Sequence, residues 1–242
     1  MSVILNLLWR LWFVLLAFLL ILLFGLPVLL FSIREKDFKH AYFFMWLFCV
    51  VVFFGMGFRY ELIKKTKEEI VKGRIYVFIA NHTSIIDIML MAVLHRHHPL
   101  CFIGKAELAK IPVFGILYKR IAILVDRNNP RSRAKVYRVA AEKMRHGQNI
   151  VIFPEGGVPA ENILLDTFRD GAFTLSTKHD FPVAVYTFVG LKEMFPFRYD
   201  KGHPGKVRVF LNMIMEPTTI REMRDKSHHE IKTTLTENLR KH

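Results

Sequence analysis

The sequence predicts an α/β fold, a mixed and largely parallel sheet flanked by helices, preceded by an N-terminal membrane-anchoring two-helix hairpin. Two uncharged apolar runs at the start of the chain predict the hairpin. Beyond residue 58, short apolar runs alternate with helix-like stretches, as in a sheet whose strands are joined by crossover helices. The expected division is 1–58 for the hairpin and 59–242 for the α/β domain. With 242 residues, 52% of them hydrophobic, the chain has ample material for a core.

The first run, 11–33, holds 23 residues without a charge. As a helix it would be about 35 Å long, enough to cross a hydrocarbon core of about 30 Å. It is longer than the apolar region of a cleaved signal, and no small-x-small site follows it. A charged link from Arg34 to His40 joins it to a second run, 41–58, which is short for a span and contains Gly55 and Gly57. The pair therefore either crosses the bilayer or dips into one leaflet. Trp9, Trp12, Tyr42 and Trp46 lie near the segment ends, where amphipathic rings favour the interface.

The formal charge is +14, and residues 59–242 carry 31 basic against 19 acidic side chains, or +12. The basic stretch Arg59, Lys64, Lys65, Lys67 and Lys72 reads as a cytoplasmic juxtamembrane segment drawn to anionic lipid. Membrane lipids are thus expected partners. A nucleic-acid partner is not, because no nucleic-acid motif is visible and a membrane accounts for the charge. The expected location is the inner, cytoplasmic membrane with the α/β domain on the cytoplasmic face. The two cysteines, Cys49 and Cys101, have no metal-type spacing and read as core or lipid-facing residues.

Strands are expected at 75–81, 100–104, Ala122–Val125, 149–153, Val183–Val189 and 207–213, and helices at 85–97, 131–145, Gly171–His179 and 220–240. In such sheets ligands bind beyond the carboxyl ends of the strands. Asn81-His82-Thr83-Ser84 falls at one such end, and Thr83 or Ser84 could cap the helix that carries Asp87 in its first turn. Folding back, Asp87 could accept a hydrogen bond from one ring nitrogen of His82, leaving the other as a free base. An alcohol has a pKa near that of water, about 15.7, and needs such a base to attack a carbonyl; histidine, near ~6.5, can serve at neutral pH. The residues alone equally allow a histidine that caps the turn beside a dipole-favouring acid.

A second strand end reads Phe153-Pro154-Glu155-Gly156-Gly157, a tight loop that lets a ligand approach the backbone and brings a carboxylate to the same edge. Lys105 in Gly104-Lys105-Ala106-Glu107-Leu108 and Arg127 in Val125-Asp126-Arg127 add positive charge there, where a phosphate could sit. His95-Arg96-His97-His98 could suggest a metal site, but adjacent histidines near a helix end cannot all face one ion, and no metal is expected.

Together these stretches resemble the signature blocks of the glycerolipid acyltransferase family. Asn81-His82-x-x-x-x-Asp87 is similar to the first block, and Gly104-Lys105-x-Glu107-Leu108-x-x-x-Pro112-x-x-Gly115 with Asp126-Arg127 to the second. Phe153-Pro154-Glu155-Gly156 resembles the third, and Phe181-Pro182-Val183-Ala184-Val185 the fourth. The resemblance implies transfer of a fatty acyl chain from acyl carrier protein or coenzyme A to the sn-2 hydroxyl of 1-acyl-glycerol-3-phosphate, giving phosphatidic acid. His82 would be the base and Asp87 its orienter, with Asn81, Lys105, Arg127, Glu155 and Gly156 binding substrate. The thioester is a co-substrate, and no cofactor is implied. The chain departs from the family in the third block, which usually continues Thr-Arg-Ser and here reads Gly157-Val158-Pro159. Arg169 or Lys178 could replace the missing arginine. Alternatively the acceptor is an amino-acid lipid, such as a glycine or ornithine lipid. A non-enzymatic protein that binds anionic lipid is a further alternative.

Overall fold

The structure is a computed structural model and describes residues 2–126 and 129–239. Two long apolar helices, α1 (Val3–Phe31) and α2 (Phe38–Gly55), form the hairpin. Both are long and apolar enough to cross a membrane. They are followed by β1 (Arg59–Lys64), β2 (Val77–Ile79), α3 (Ile86–Leu94), β3 (Leu100–Lys105), α4 (Phe114–Ile121) and β4 (Ala122–Val125). Then come α5 (Pro130–Arg145), β5 (Asn149–Ile152), α6 (Gly171–His179), β6 (Val183–Val189), α7 (Leu191–Met194), β7 (Lys206–Met215) and α8 (Ile220–Leu239).

The strands form one seven-stranded sheet in the order β1-β7-β6-β2-β5-β3-β4. β2 pairs in parallel with β5 and β6, and β3 with β4 and β5. β7 runs antiparallel to β6, and β1 is parallel to β7. The carboxyl ends of β2 to β6 therefore lie along one edge, with β2 at the centre, so the described residues expected to carry chemistry follow strand ends on the same rim. The fully buried central strands read as continuous apolar runs because helices cover both faces.

Alternate residues of β2 enter opposite cores: Phe78 packs in the cluster with α2 and α3, and Val77 and Ile79 in the cluster with α5, α6 and α8. Leu16, Leu20, Tyr42, Val52 and Phe53 of the hairpin belong to the first of these cores. Three polar contacts fix the hairpin to the domain. The guanidinium of Arg10 donates to the carbonyls of Pro196, Arg198 and Lys201 at 2.7–3.2 Å. Asn6 donates to the carbonyl of Asp200. At the turn, Glu35 accepts from Lys143 at 3.1 Å and from Gln148 at 2.5 Å.

The stretch expected to be a basic juxtamembrane segment instead begins with β1, three residues after α2 ends. Its charges hid it: Arg59, Glu61 and Lys64 are exposed on an edge strand, and Glu61 pairs with Lys206 of β7 at 2.6 Å. α3 ends at Leu94, short of the expected 97. His95 and His98 turn into the core, where the His95 ring lies 4.2 Å from Phe78, and burial lowers the His95 pKa to about 3. A neutral core imidazole is its role here. Residue 240, the expected last residue of the final helix, lies outside the described residues.

Candidate active site

The chain leaves β2 at Ile79, and Asn81 extends its ladder with a side chain. The Asn81 amide donates to the carbonyl of Phe188 at 2.9 Å and accepts from its N–H at 2.8 Å, imitating one more strand pair with β6. Expected to bind substrate, Asn81 is fully buried and has both ends of its amide committed to the backbone. It acts on the site by holding the loop.

The next residue is His82, whose Nδ1 lies 3.0 Å from Oδ2 of Asp87. A carboxylate can only accept, so Nδ1 is the donor of this pair, and in the neutral ring the lone pair falls on Nε2. Among the described residues no hydrogen bond reaches Nε2. The imidazole side chain is 15% exposed, while Asp87 is fully buried. The same Oδ2 also accepts from the backbone N–H groups of Thr83 at 2.5 Å and Ser84 at 2.8 Å. Asp87 thus closes the loop from inside the helix, while the Ser84 hydroxyl accepts from the Ile86 N–H at 3.3 Å at the helix start, as expected of one of the two capping candidates. The Ser84 hydroxyl donates to the carbonyl of Phe195 at 2.8 Å.

The third block supports this loop from the β5 side. The Phe153 ring stacks on the His82 ring at 4.2 Å with 15° between the planes. Glu155, buried, accepts from the His82 N–H at 2.7 Å through Oε1 and from the Asp166 N–H at 2.9 Å through Oε2. Burial raises its pKa, and the two backbone donors oppose that shift. Both oxygens are engaged, so the carboxylate ties the β2–α3 loop to two parts of the β5–α6 loop and positions His82 through its backbone. Gly156 sits at φ +77°, and a Cβ there would come within 2.6 Å of Arg169 Nε. The absent side chain lets the exposed Arg169 lie against the loop beside Glu155, and the Arg169 N–H donates to the Pro154 carbonyl at 2.9 Å. Of the two substitutes considered for the missing arginine, Arg169 is the one seated on the third block.

Lys105 is exposed at the end of β3 on the same edge. Arg127 lies outside the described residues. The second-block glycines have a steric reason: Gly104 packs beneath the Tyr118 hydroxyl of α4, and Gly115 against the Ala109 carbonyl. Phe153 is the residue whose role the sequence did not disclose, although it opens the third block at a strand end. The Asp166 and Phe195 backbone partners had no sequence signal, because they are chosen by loop packing. Among the described residues no group of three or more His, Cys, Asp or Glu side chains could hold a metal ion.

Comparison with known proteins gives the family. The chain is 26% identical to the 1-acyl-sn-glycerol-3-phosphate acyltransferase of Helicobacter pylori over 138 residues, 56% of this chain and 57% of that protein. It is 35% identical to the lyso-ornithine lipid O-acyltransferase of Pseudomonas aeruginosa over 80 residues, 33% of this chain and 30% of that protein. The chain spans between about a third and just over half the length of the curated relatives it matches. The crystal structure of the 1-acyl-sn-glycerophosphate acyltransferase PlsC from Thermotoga maritima superposes with a TM-score of 0.76 at 26% identity, over 98% of this chain and 97% of that one. The family model described as Acyltransferase matches residues 62–189, more than half of the chain and all four signature blocks, and the chain belongs to that family.

Proposed function

We propose that the chain transfers a fatty acyl group from a thioester, acyl carrier protein or coenzyme A, to the sn-2 hydroxyl of 1-acyl-glycerol-3-phosphate. The observation that carries the reading is the partly exposed His82 imidazole, protonated at Nδ1 by its bond to buried Asp87 and free at Nε2. In the reaction Nε2 takes the hydroxyl proton as the oxygen bonds to the thioester carbonyl carbon. The carbon–sulfur bond then breaks, and the imidazolium returns the proton to the departing thiolate. The overall exchange is acyl ester plus thiol for alcohol plus thioester. Asp87 stabilises the imidazolium in between, and Lys105 and Arg169 supply the cationic rim for the acceptor's phosphate.

The amino-acid-lipid reading keeps one specific support, the Gly157-Val158-Pro159 sequence where the family carries an arginine. Purified protein offered lysophosphatidic acid and lyso-ornithine lipid with each donor, read by product mass, separates the two. Phosphatidic acid as product supports the first, and a diacylated amino lipid the second. His82→Ala should abolish either product. Unchanged transfer by that variant would remove the catalytic reading in favour of a lipid-binding protein.

The proposed location is the inner membrane, with the α/β domain on the cytoplasmic face. The hairpin is tied to the domain near its start through Arg10 and at its turn through Glu35, and Gly25 of α1 packs on Leu117 of α4. A helix held along its length against one domain favours a hairpin lying in one leaflet. Its outer face carries exposed leucines such as Leu15, Leu19, Leu22 and Leu26.

A further inference from the structure

We propose that a cleft on the β6 side of the His82 loop holds the pantetheine arm of the acyl donor, the amide-bearing chain that ends in the thiol of both acyl carrier protein and coenzyme A. This rests on the acyl-transfer reading above. The cleft lies beyond the carboxyl ends of β2 and β6 and has a volume of about 430 Å³, within the usual range for small-molecule sites. Asn81 and Thr83, the two neighbours of His82, both line it.

The two sides of the base differ in chemistry. The described cationic residues expected to hold the acceptor, Lys105 and Arg169, follow β3 and β5. The β6 side carries none of the first three signature blocks beyond the His82 loop itself. A transferase must hold a second substrate against the same base, and this is the unassigned side. Thr83 supplies the specific signal: it is more than nine-tenths buried, and its hydroxyl has no hydrogen-bond partner among the described residues. A buried hydroxyl without a partner is costly and can both donate and accept, which suits an amide. Asn162, exposed at the cleft, is a second group that can both donate and accept, and Leu164, Phe188 and Pro196 give the cleft apolar walls for the methylene and methyl groups between amides.

Charge argues against an anionic headgroup here. Lys192 and Lys201 are balanced by Glu161 and Glu193 around the cleft, and the Lys192 ammonium is already engaged by the Ile163 carbonyl at 2.7 Å. A neutral, elongated, amide-bearing chain fits this lining better than a phosphate. The wall formed by 196–201 is held in place by Arg10 of α1, which donates to three of its carbonyls.

The test uses the full chain in lipid micelles with lysophosphatidic acid as acceptor and three donors of one acyl chain: acyl-coenzyme A, acyl-pantetheine and the S-ethyl thioester, which has no amide. Thr83→Val should raise the KM for both pantetheine-bearing donors about 5–10-fold, the scale of one lost hydrogen bond. It should lower the preference for acyl-coenzyme A over the S-ethyl thioester by the same factor. Thr83→Ser should restore both, and Leu164→Trp, which narrows the cleft without touching the loop, should reproduce the loss of preference. An unchanged donor KM in Thr83→Val and Leu164→Trp would overturn the assignment, as would a rise in acceptor KM instead, or an equal loss with all three donors. If the parent protein uses none of the three thioesters with either lysophosphatidic acid or lyso-ornithine lipid as acceptor, the acyl-transfer reading itself fails and takes the cleft with it. A parent that is active and variants that keep its donor preference sink the cleft alone.

Discussion

Asp87 carries more of the site than its single bond to His82 suggests. One buried oxygen receives the imidazole and two backbone N–H groups, so the residue fixes the loop and the tautomer at once. Replacing it with asparagine nearly preserves volume but can present an N–H to donors, or leave the imidazolium without its counter-charge. Asp87→Asn should therefore lower kcat by about 10²–10⁴-fold, the usual contribution of a positioned acid–base group, while the acceptor KM moves little. Glu155 makes a prediction about pH. Its pKa is raised by burial from the ordinary 4.5, so the folded state binds more protons than the unfolded chain between those two values. Stability from this group is then greatest below 4.5 and declines as pH rises through the raised value. Glu155→Gln should lose stability by about 1–3 kcal/mol, because one backbone N–H faces an amide N–H. Its deficit against the parent, followed by thermal melts, should shrink as pH is raised through that window. The His82–Asp87 pair was legible in the sequence because five residues suffice to fold a helix's first turn back on its own loop. The bracing by Asn81 and Glu155 was not, since their partners stand 107 and 73 residues away and are backbone groups without a side-chain signature.

At the scale of elements, the second block is a packing device as much as a chemical one. Gly104, the residue before the end of β3, lies directly beneath Tyr118, and a Cβ there would collide with the phenol hydroxyl. Gly104→Ala should push α4 away from the strand, costing about 1–3 kcal/mol by overpacking and displacing Lys105 from the rim. Tyr118→Phe in the same chain removes the closest atom and should recover part of the loss; no recovery in melts would show that the strain lies elsewhere. The strands that the sequence disclosed, β2, β3, β4, β5, β6 and β7, are central or apolar enough to stand out from their flanks. β1 escaped because an edge strand is recognised by its partner, and its charges imitate a juxtamembrane tract. The clamp on 196–201 was hidden for a related reason: Arg10 sits in an apolar helix, where a lone cation reads as a flank. Its guanidinium, 3.8 Å from the Phe195 ring centre, meets three carbonyls that helix and sheet leave open.

For the whole molecule, the hairpin is a lid on the sheet and, on the proposed location, a surface for lipid. Because Leu16, Tyr42, Val52 and Phe53 share a core with Phe78 and Leu90, removing 1–58 would uncover one face of the sheet rather than release a free domain. The lipid contact is better tested by changes that leave this core alone. Leu15, Leu19 and Leu22 of α1 are 53–60% exposed and point away from the core. Burying such half-exposed side chains in the membrane contributes on the order of 1 kcal/mol each, so replacing all three with glutamine should weaken partition to vesicles by roughly two orders of magnitude. Thermal stability in micelles should hold, since none of the three packs in the fold. If the acceptor and the donor's acyl chain reach His82 from the bilayer, turnover on vesicles should fall with partition, while turnover on micelle-dispersed acceptor changes little. Both lipids then have to be presented at the same surface as the strand-end rim, which the tethers at Arg10 and Glu35 hold at a fixed height relative to the hairpin. Equal losses on vesicles and micelles would break that link and leave the outer face of α1 with no part in delivering substrate.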